Sequence, residues 1–134
     1  MAAKKDAPTV LFIDDDVDLV HALSSVLEHE GYRVRHAPDG EVGVKMAAEQ
    51  RPDVIILDFM MPAKNGFEAC CELRQLDGVK DVPIVALTAF GQDIGEIYGL
   101  GRGDALGVQD YLEKPVEFNV LLERLATLLA AAKP

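Results

Sequence analysis

The chain has 134 residues, enough for one domain and too few for two, and its 49% hydrophobic content supplies a full core. A formal net charge of −10 sets the surface against a phosphate backbone, which argues against nucleic acid as a direct partner. No apolar stretch approaches the roughly 18–20 residues of a membrane span, and Met1 to Pro8 has no apolar core behind its two lysines, so it is not a signal peptide.

Residues 1–8 read as a disordered lead-in, and the folded domain is expected over 9–131. Thr9 to Ile13 is the first strand, and it runs straight into Asp14-Asp15-Asp16. Asp16 is placed to cap the following helix, whose Leu19, Leu23, Val26 and Leu27 recur at helical spacing, and Gly31 supplies the stop. Arg33-Val34-Arg35-His36 is polar and alternating, which places it at a sheet edge. After the Pro38-Asp39-Gly40 turn, Val44, Ala47 and Ala48 give the second helix its inner face, until Arg51-Pro52 breaks it.

Val54-Ile55-Ile56-Leu57 is apolar throughout, as a central parallel strand must be, yet it ends in Asp58. Phe59-Met60-Met61-Pro62 and an Asn65-Gly66 turn follow, and Phe67, Cys70 and Leu73 begin the apolar stripe of a third helix. Pro83 opens the next strand, Ile84 to Leu87, which ends in Thr88-Ala89. Gln92 to Gly107 contains Gly95, Gly99, Gly101, Gly103 and Gly107, and each interior glycine costs a helix about 1 kcal/mol against alanine. An ordinary helix is therefore not expected there. Asp110 to Glu113 is the last strand and ends in Lys114-Pro115; Phe118, Leu121, Leu122, Leu125, Leu128 and Leu129 then lie on one face of a final helix.

The alternation of short strands and helices argues for an α/β fold, a parallel sheet covered on both faces. The strand ends carry acids, a hydroxyl and an amine, which is the inventory of a phosphate and metal site assembled from the whole chain. Taken singly, Thr88 is an ordinary capping threonine, Lys114 a solvated lysine, and Asp16 and Asp18 helix-capping acids. Cys70 and Cys71 are adjacent, so on a helix they point roughly 100° apart and cannot pair. One packed and one near-surface thiol, in a reducing cytoplasmic compartment, is the expectation. His21, His29 and His36 follow no metal-ligand spacing and read as solvent-exposed structural residues.

Five motifs in this order carry a family resemblance: Phe12-Ile13-Asp14-Asp15-Asp16, Ile56-Leu57-Asp58-Phe59-Met60-Met61-Pro62, Asn65-Gly66, Leu87-Thr88-Ala89 and Tyr111-Leu112-Glu113-Lys114-Pro115. From Thr9 to Leu129 the chain resembles the receiver domain of two-component response regulators, of the single-domain chemotaxis-regulator kind. The resemblance implies a doubly wound, flavodoxin-like fold, with five parallel strands in the order 2-1-3-4-5. It implies Asp58 as phosphoacceptor for a phosphohistidine on a sensor histidine kinase or histidine phosphotransfer protein.

Asp14, Asp15, Asp58 and the backbone carbonyl of Met60 would hold Mg²⁺ or Mn²⁺, with Asp15 as direct ligand and Asp14 acting partly through water. Lys114 would pair with the phosphoryl oxygens, and Thr88 and Ala89 would meet the phosphoryl group. The Lys114-Pro115 bond would be cis. Tyr111 would be the switch aromatic that turns inward when Thr88 moves, changing the surface offered to a downstream protein. The alternative for an edge-strand tyrosine is to stay outward in both states, and the switch role is preferred. The chemistry agrees: two carboxylates about 4 Å apart repel by roughly 4 kcal/mol at an effective dielectric of 20, which a cation relieves.

Two departures qualify the resemblance. The stretch between Thr88 and Lys114 is longer than usual and glycine-rich, which puts the fourth helix and the output surface built on it in doubt. The positions two beyond Asp58 and two beyond Thr88 are Met60 and Phe90, and neither can position a hydrolytic water. Slow self-dephosphorylation is expected. A haloacid-dehalogenase-type enzyme would need an acid where Met60 stands and a substrate cap for which the chain is short. An interaction module that signals without phosphate is the remaining rival, and the intact set Asp14, Asp15, Asp58, Thr88 and Lys114 argues against it. No DNA-binding or enzymatic effector segment follows the last helix within these residues, so the expected output is a bound partner, a phosphorelay or a phosphate sink.

Overall fold

A computed structural model describes residues 7–61, 66–88 and 108–132. In chain order the elements are β1 (Thr9–Ile13), α1 (Val17–His29), β2 (Arg33–Ala37), α2 (Gly40–Glu49), β3 (Val54–Asp58), α3 (Gly66–Leu73), β4 (Ile84–Thr88), β5 (Asp110–Glu113) and α4 (Phe118–Ala132). The five strands form one parallel sheet in the order β2-β1-β3-β4-β5, the doubly wound order expected. The glycine-rich stretch lies outside the described residues, as do Ala89 and Phe90. Among the described residues no helix is long and apolar enough to cross a membrane.

Strand alternation divides the core in two. Leu11, Ile13, Ile55, Leu57, Ile84 and Ala86 face α2 and α3, whereas Val10, Phe12, Val54, Ile56, Val85 and Leu87 face α1 and α4. Every residue of β3 and β4 is buried, which is why those two segments read as unbroken apolar runs. The polar, alternating β2 pairs with β1 alone, at the edge. Pro8 accepts the Arg33 amide at 2.9 Å, so the chain is tied to the sheet just ahead of β1.

Helix ends follow local chemistry. Asp16 and Asp39, both extended in backbone, cap α1 and α2 by accepting the amides of Leu19 and Val42. Gly31, at φ +98°, takes the left-handed conformation that ends α1 and returns the chain to β2. Just past the end of α3, Arg74 donates to the carbonyls of Lys80 (2.9 Å) and Val82 (2.7 Å) and to Gln109 Oε1 (3.0 Å). Gln109 also accepts the Ile84 amide, so one guanidinium and one amide close the end of the sheet where β4 and β5 begin. Arg124 grips both oxygens of Asp110 and ties α4 to β5.

The inner faces differ from periodicity in detail. In α1 the buried residues are Val20, Leu23 and Leu27, with Leu19 and Val26 half-buried. In α2 they are Gly40, Gly43 and Ala47, while Ala48 is exposed and Val44 half-buried. The cause is close packing: a Cβ at Gly43 would collide with the side chain of Ile13, which would have to shift to admit it. In α4, Leu121 and Leu125 are buried and Leu122, Leu128 and Leu129 pack half-buried, but Phe118 stays 44% exposed at the first turn. Each fully buried leucine contributes roughly 2 kcal/mol of transfer free energy. Cys70 is buried and Cys71 exposed, as their adjacency requires; burial pushes the Cys70 thiol up to about 11, which keeps it protonated and inert.

Candidate functional site

Parallel strands end together, and here the ends carry the only buried polar side chains among the described residues: Asp14, Asp58 and Thr88. Asp14 follows β1, Asp58 and Thr88 close β3 and β4, and Lys114 follows β5. The hydrogen-bond ladder continues past the strands and keeps these ends level. The Asp14 amide donates to Ala37 (3.1 Å), the Phe59 amide to Leu87 (3.0 Å) and the Lys114 amide to Thr88 (2.8 Å). The Lys114-Pro115 bond is cis.

The two buried acids are built alike. Asp14 Oδ1 accepts the Asp16 amide at 2.9 Å, and Asp58 Oδ1 accepts the Met60 amide at 2.8 Å, so each carboxylate anchors the turn that leaves its own strand. Their second oxygens converge on one ammonium. Lys114 Nζ lies 3.1 Å from Asp14 Oδ2 and 3.3 Å from Asp58 Oδ2. Asp15 is exposed at the rim, and one carboxylate oxygen from each of Asp14, Asp15 and Asp58 lies within 4.8 Å of the others.

Electrostatics show a site short of positive charge. Burial raises the Asp14 carboxyl from 3.8 to about 6, and the Asp58 charge pushes the same way; the Asp16 amide and Lys114 offset part of this. Burial alone would lower the Lys114 pKa, but the charges of Asp58 and Asp14 outweigh it and the net shift is upward. The ammonium is therefore held firmly charged between two acids. Asp14 Oδ2 is buried, and among the described residues its one partner is the Lys114 ammonium at 3.1 Å. An all-oxygen donor set with one oxygen left over suits a hard divalent cation such as Mg²⁺.

Around this centre, a Cβ at Gly66 would strike the backbone of Phe59, so the start of α3 lies hard against the residue after Asp58. Met60 is 44% exposed at the mouth of the site. Tyr111 is half-buried and packs against the α2–α3 core. Of the residues singled out from sequence, Asp14, Asp15, Asp58, Met60, Thr88 and Lys114 gather at this sheet edge. Tyr111 lies earlier on β5, paired with Ala86 of β4, and Ala89 lies outside the described residues. His36 is the residue that sequence reasoning passes over. It is half-buried, unlike exposed His21 and His29, and its Nε2 lies 2.8 Å from the Asp14 carbonyl.

Residues 10–126 match the response regulator receiver domain. The chain belongs to that family. The receiver domain is 42% identical over 122 residues to the transcriptional regulatory protein AfsQ1 of Streptomyces coelicolor, covering 91% of this chain and 51% of that protein. It thus spans about half the length of that curated relative. With protein PilH of Pseudomonas aeruginosa it is 32% identical, over 90% of this chain and 97% of PilH. Its backbone matches the receiver domain of the sensor histidine kinase PA1611 from Pseudomonas aeruginosa, described with a magnesium ion coordinated in the active-site cleft. There the TM-score is 0.82 at 29% identity, covering 92% and 98% of the two chains.

Proposed function

We propose that this receiver domain, taken as 9–131, is a phosphoacceptor switch in which Asp58 accepts a phosphoryl group from a phosphohistidine. The observation that carries the reading is the convergence of Asp14, Asp58 and Lys114 at 3.1 and 3.3 Å, with Asp15 at the rim. The Asp58 carboxylate attacks phosphorus; an O–P bond forms as the P–N bond breaks, and the imidazole departs with the electron pair and takes up a proton. Lys114 pairs with the phosphoryl oxygens, and Thr88 and Ala89 receive the group once it has arrived. Asp14, Asp15, Asp58 and the Met60 carbonyl would hold Mg²⁺ or Mn²⁺, which would neutralise charge on the transferring phosphoryl group.

The donor is a sensor histidine kinase or a histidine phosphotransfer protein, in the cytoplasm. Movement of Thr88 toward the phosphoryl group opens space for Tyr111, which biases the domain between two conformations and changes the surface offered to a downstream protein. The chain turns over no separate substrate; it promotes only its own phosphorylation and dephosphorylation. Borohydride reduction of the phosphorylated protein, followed by peptide mapping, is expected to find homoserine in place of Asp58 and nowhere else. Reduction at another acid would refute the assignment.

Hydrolysis of the acyl phosphate is expected to be slow. The exposed Met60 side chain offers no polar atom able to orient a water, and Phe90 supplies none either. Met60→Asn combined with Phe90→Glu is expected to shorten the phosphoryl lifetime by roughly tenfold or more, as positioned acid–base groups do. An unchanged decay rate in a chase experiment would sink this explanation.

A further inference from the structure

We infer that His36 is a positioning residue for the cation site, a role that rests on reading Asp14 and Asp15 as cation ligands. The end of β2 grips the backbone of Asp14 from both sides. Ala37 accepts the Asp14 amide at 3.1 Å, and His36 Nε2 lies 2.8 Å from the Asp14 carbonyl. A carbonyl can only accept, so the imidazole must present Nε2–H to it. The strand offers nothing further: Pro38 has no N–H, and Asp39 is already committed as the cap of α2.

The carbonyl in question belongs to the peptide unit that joins Asp14 to Asp15. Fixing its direction fixes how the chain leaves β1, and hence where the exposed Asp15 carboxylate stands relative to the buried Asp14 and Asp58. The Asp14 carboxylate already closes this turn through the Asp16 amide, and the imidazole adds a bond to the carbonyl of the peptide that launches Asp15. His36 is half-buried, so its bond is partly shielded from water and is worth more than a surface contact. In this respect it acts as an outer partner of a metal site, orienting a ligand it does not replace.

The test is Mg²⁺ affinity by calorimetry on the purified chain, for wild type, His36→Leu and His36→Gln. Leucine keeps the bulk and loses the donor; the glutamine amide reaches about as far and keeps it. His36→Leu is expected to weaken Mg²⁺ binding about tenfold, the low end for outer partners of a metal site, with His36→Gln within about twofold of wild type. A purely structural role would lower the melting temperature and leave the Mg²⁺ dissociation constant alone, and that result overturns the inference. So does a glutamine variant as weak as the leucine one.

If His36→Leu does not fold, imidazole ¹⁵N shifts of the wild type decide. Nε2–H with bare Nδ1 near pH 8 supports the role, and a bare Nε2 refutes it. A wild type that binds no Mg²⁺ refutes the cation-site reading itself and takes this role with it, whereas failure of the inference alone leaves wild-type binding intact.

Discussion

Lys114→Met is expected to lower the stability of the metal-free protein near neutral pH by roughly 2–4 kcal/mol, with much of the loss restored by millimolar Mg²⁺. Among the described residues, the lysine is the one cation seen between two carboxylates that have almost no solvent of their own, Asp14 and Asp58. Removing one partner of a buried ion pair typically costs about 3–5 kcal/mol, because the remaining charge is left uncompensated. Two features here reduce that figure. The ammonium is 27% exposed, so water screens part of the interaction, and Asp14 can take a proton instead.

A divalent cation supplies the missing charge from another direction, hence the expected recovery. If Lys114 meets the phosphoryl oxygens as proposed, phosphorylation of the same variant by a small phosphodonor is expected to slow by about tenfold or more. Thermal melts with and without Mg²⁺ check the first expectation. Identical melting temperatures for variant and wild type without metal would show that Lys114 carries no such burden.

In metal-free protein, the Asp14 contribution to stability should fall as pH rises from about 4 to about 6. The Asp14 carboxyl has its pKa raised from 3.8 to about 6, first by burial and then by Asp58. Between those values the folded state holds a proton that the unfolded state has released, so stability declines with rising pH through the window and levels off above it. A tenfold difference in proton affinity is worth about 1.4 kcal/mol, which sets the ceiling at about 3 kcal/mol.

Asp14→Asn removes this charge and is expected to stabilise the metal-free protein at about pH 7.5 by roughly 2 kcal/mol, with the advantage vanishing below about pH 4. It should also abolish tight Mg²⁺ binding, because the cost at Asp14 is the energy that a cation relieves. Urea unfolding at a series of pH values, run with and without Mg²⁺, measures both. An Asp14→Asn variant that is less stable than wild type at neutral pH would contradict the electrostatic account.

The strand ends are legible in the sequence because a carboxylate after four apolar residues is hard to explain as packing. Asp58 after Val54-Ile55-Ile56-Leu57 is the clearest example and Asp14 repeats it, whereas the hydroxyl of Thr88 gains meaning only beside them. The edge position of β2 is legible from its polar alternation, and Asp16 as a cap from its place before the first apolar turn. Helix faces are legible only to within a residue. Hydropathy favours Ala48 over Gly43, yet Gly43 faces the sheet, close enough that a Cβ would collide with the Ile13 side chain. Phe118 has the spacing of an inward residue but sits in the first turn of α4, where the helix has not yet reached the core.

His36 is not legible at all. A histidine that serves a single carbonyl leaves no spacing pattern, and only the parallel register of β1 and β2 brings it to Asp14.

The measurement that tests the central claim most directly is intact mass after incubation with a small phosphodonor, with and without Mg²⁺, on wild type and Asp58→Asn. A gain of one phosphoryl group that requires both Mg²⁺ and Asp58 is expected. No gain in folded, Mg²⁺-loaded wild type would contradict it and point to a receiver fold that signals by binding alone.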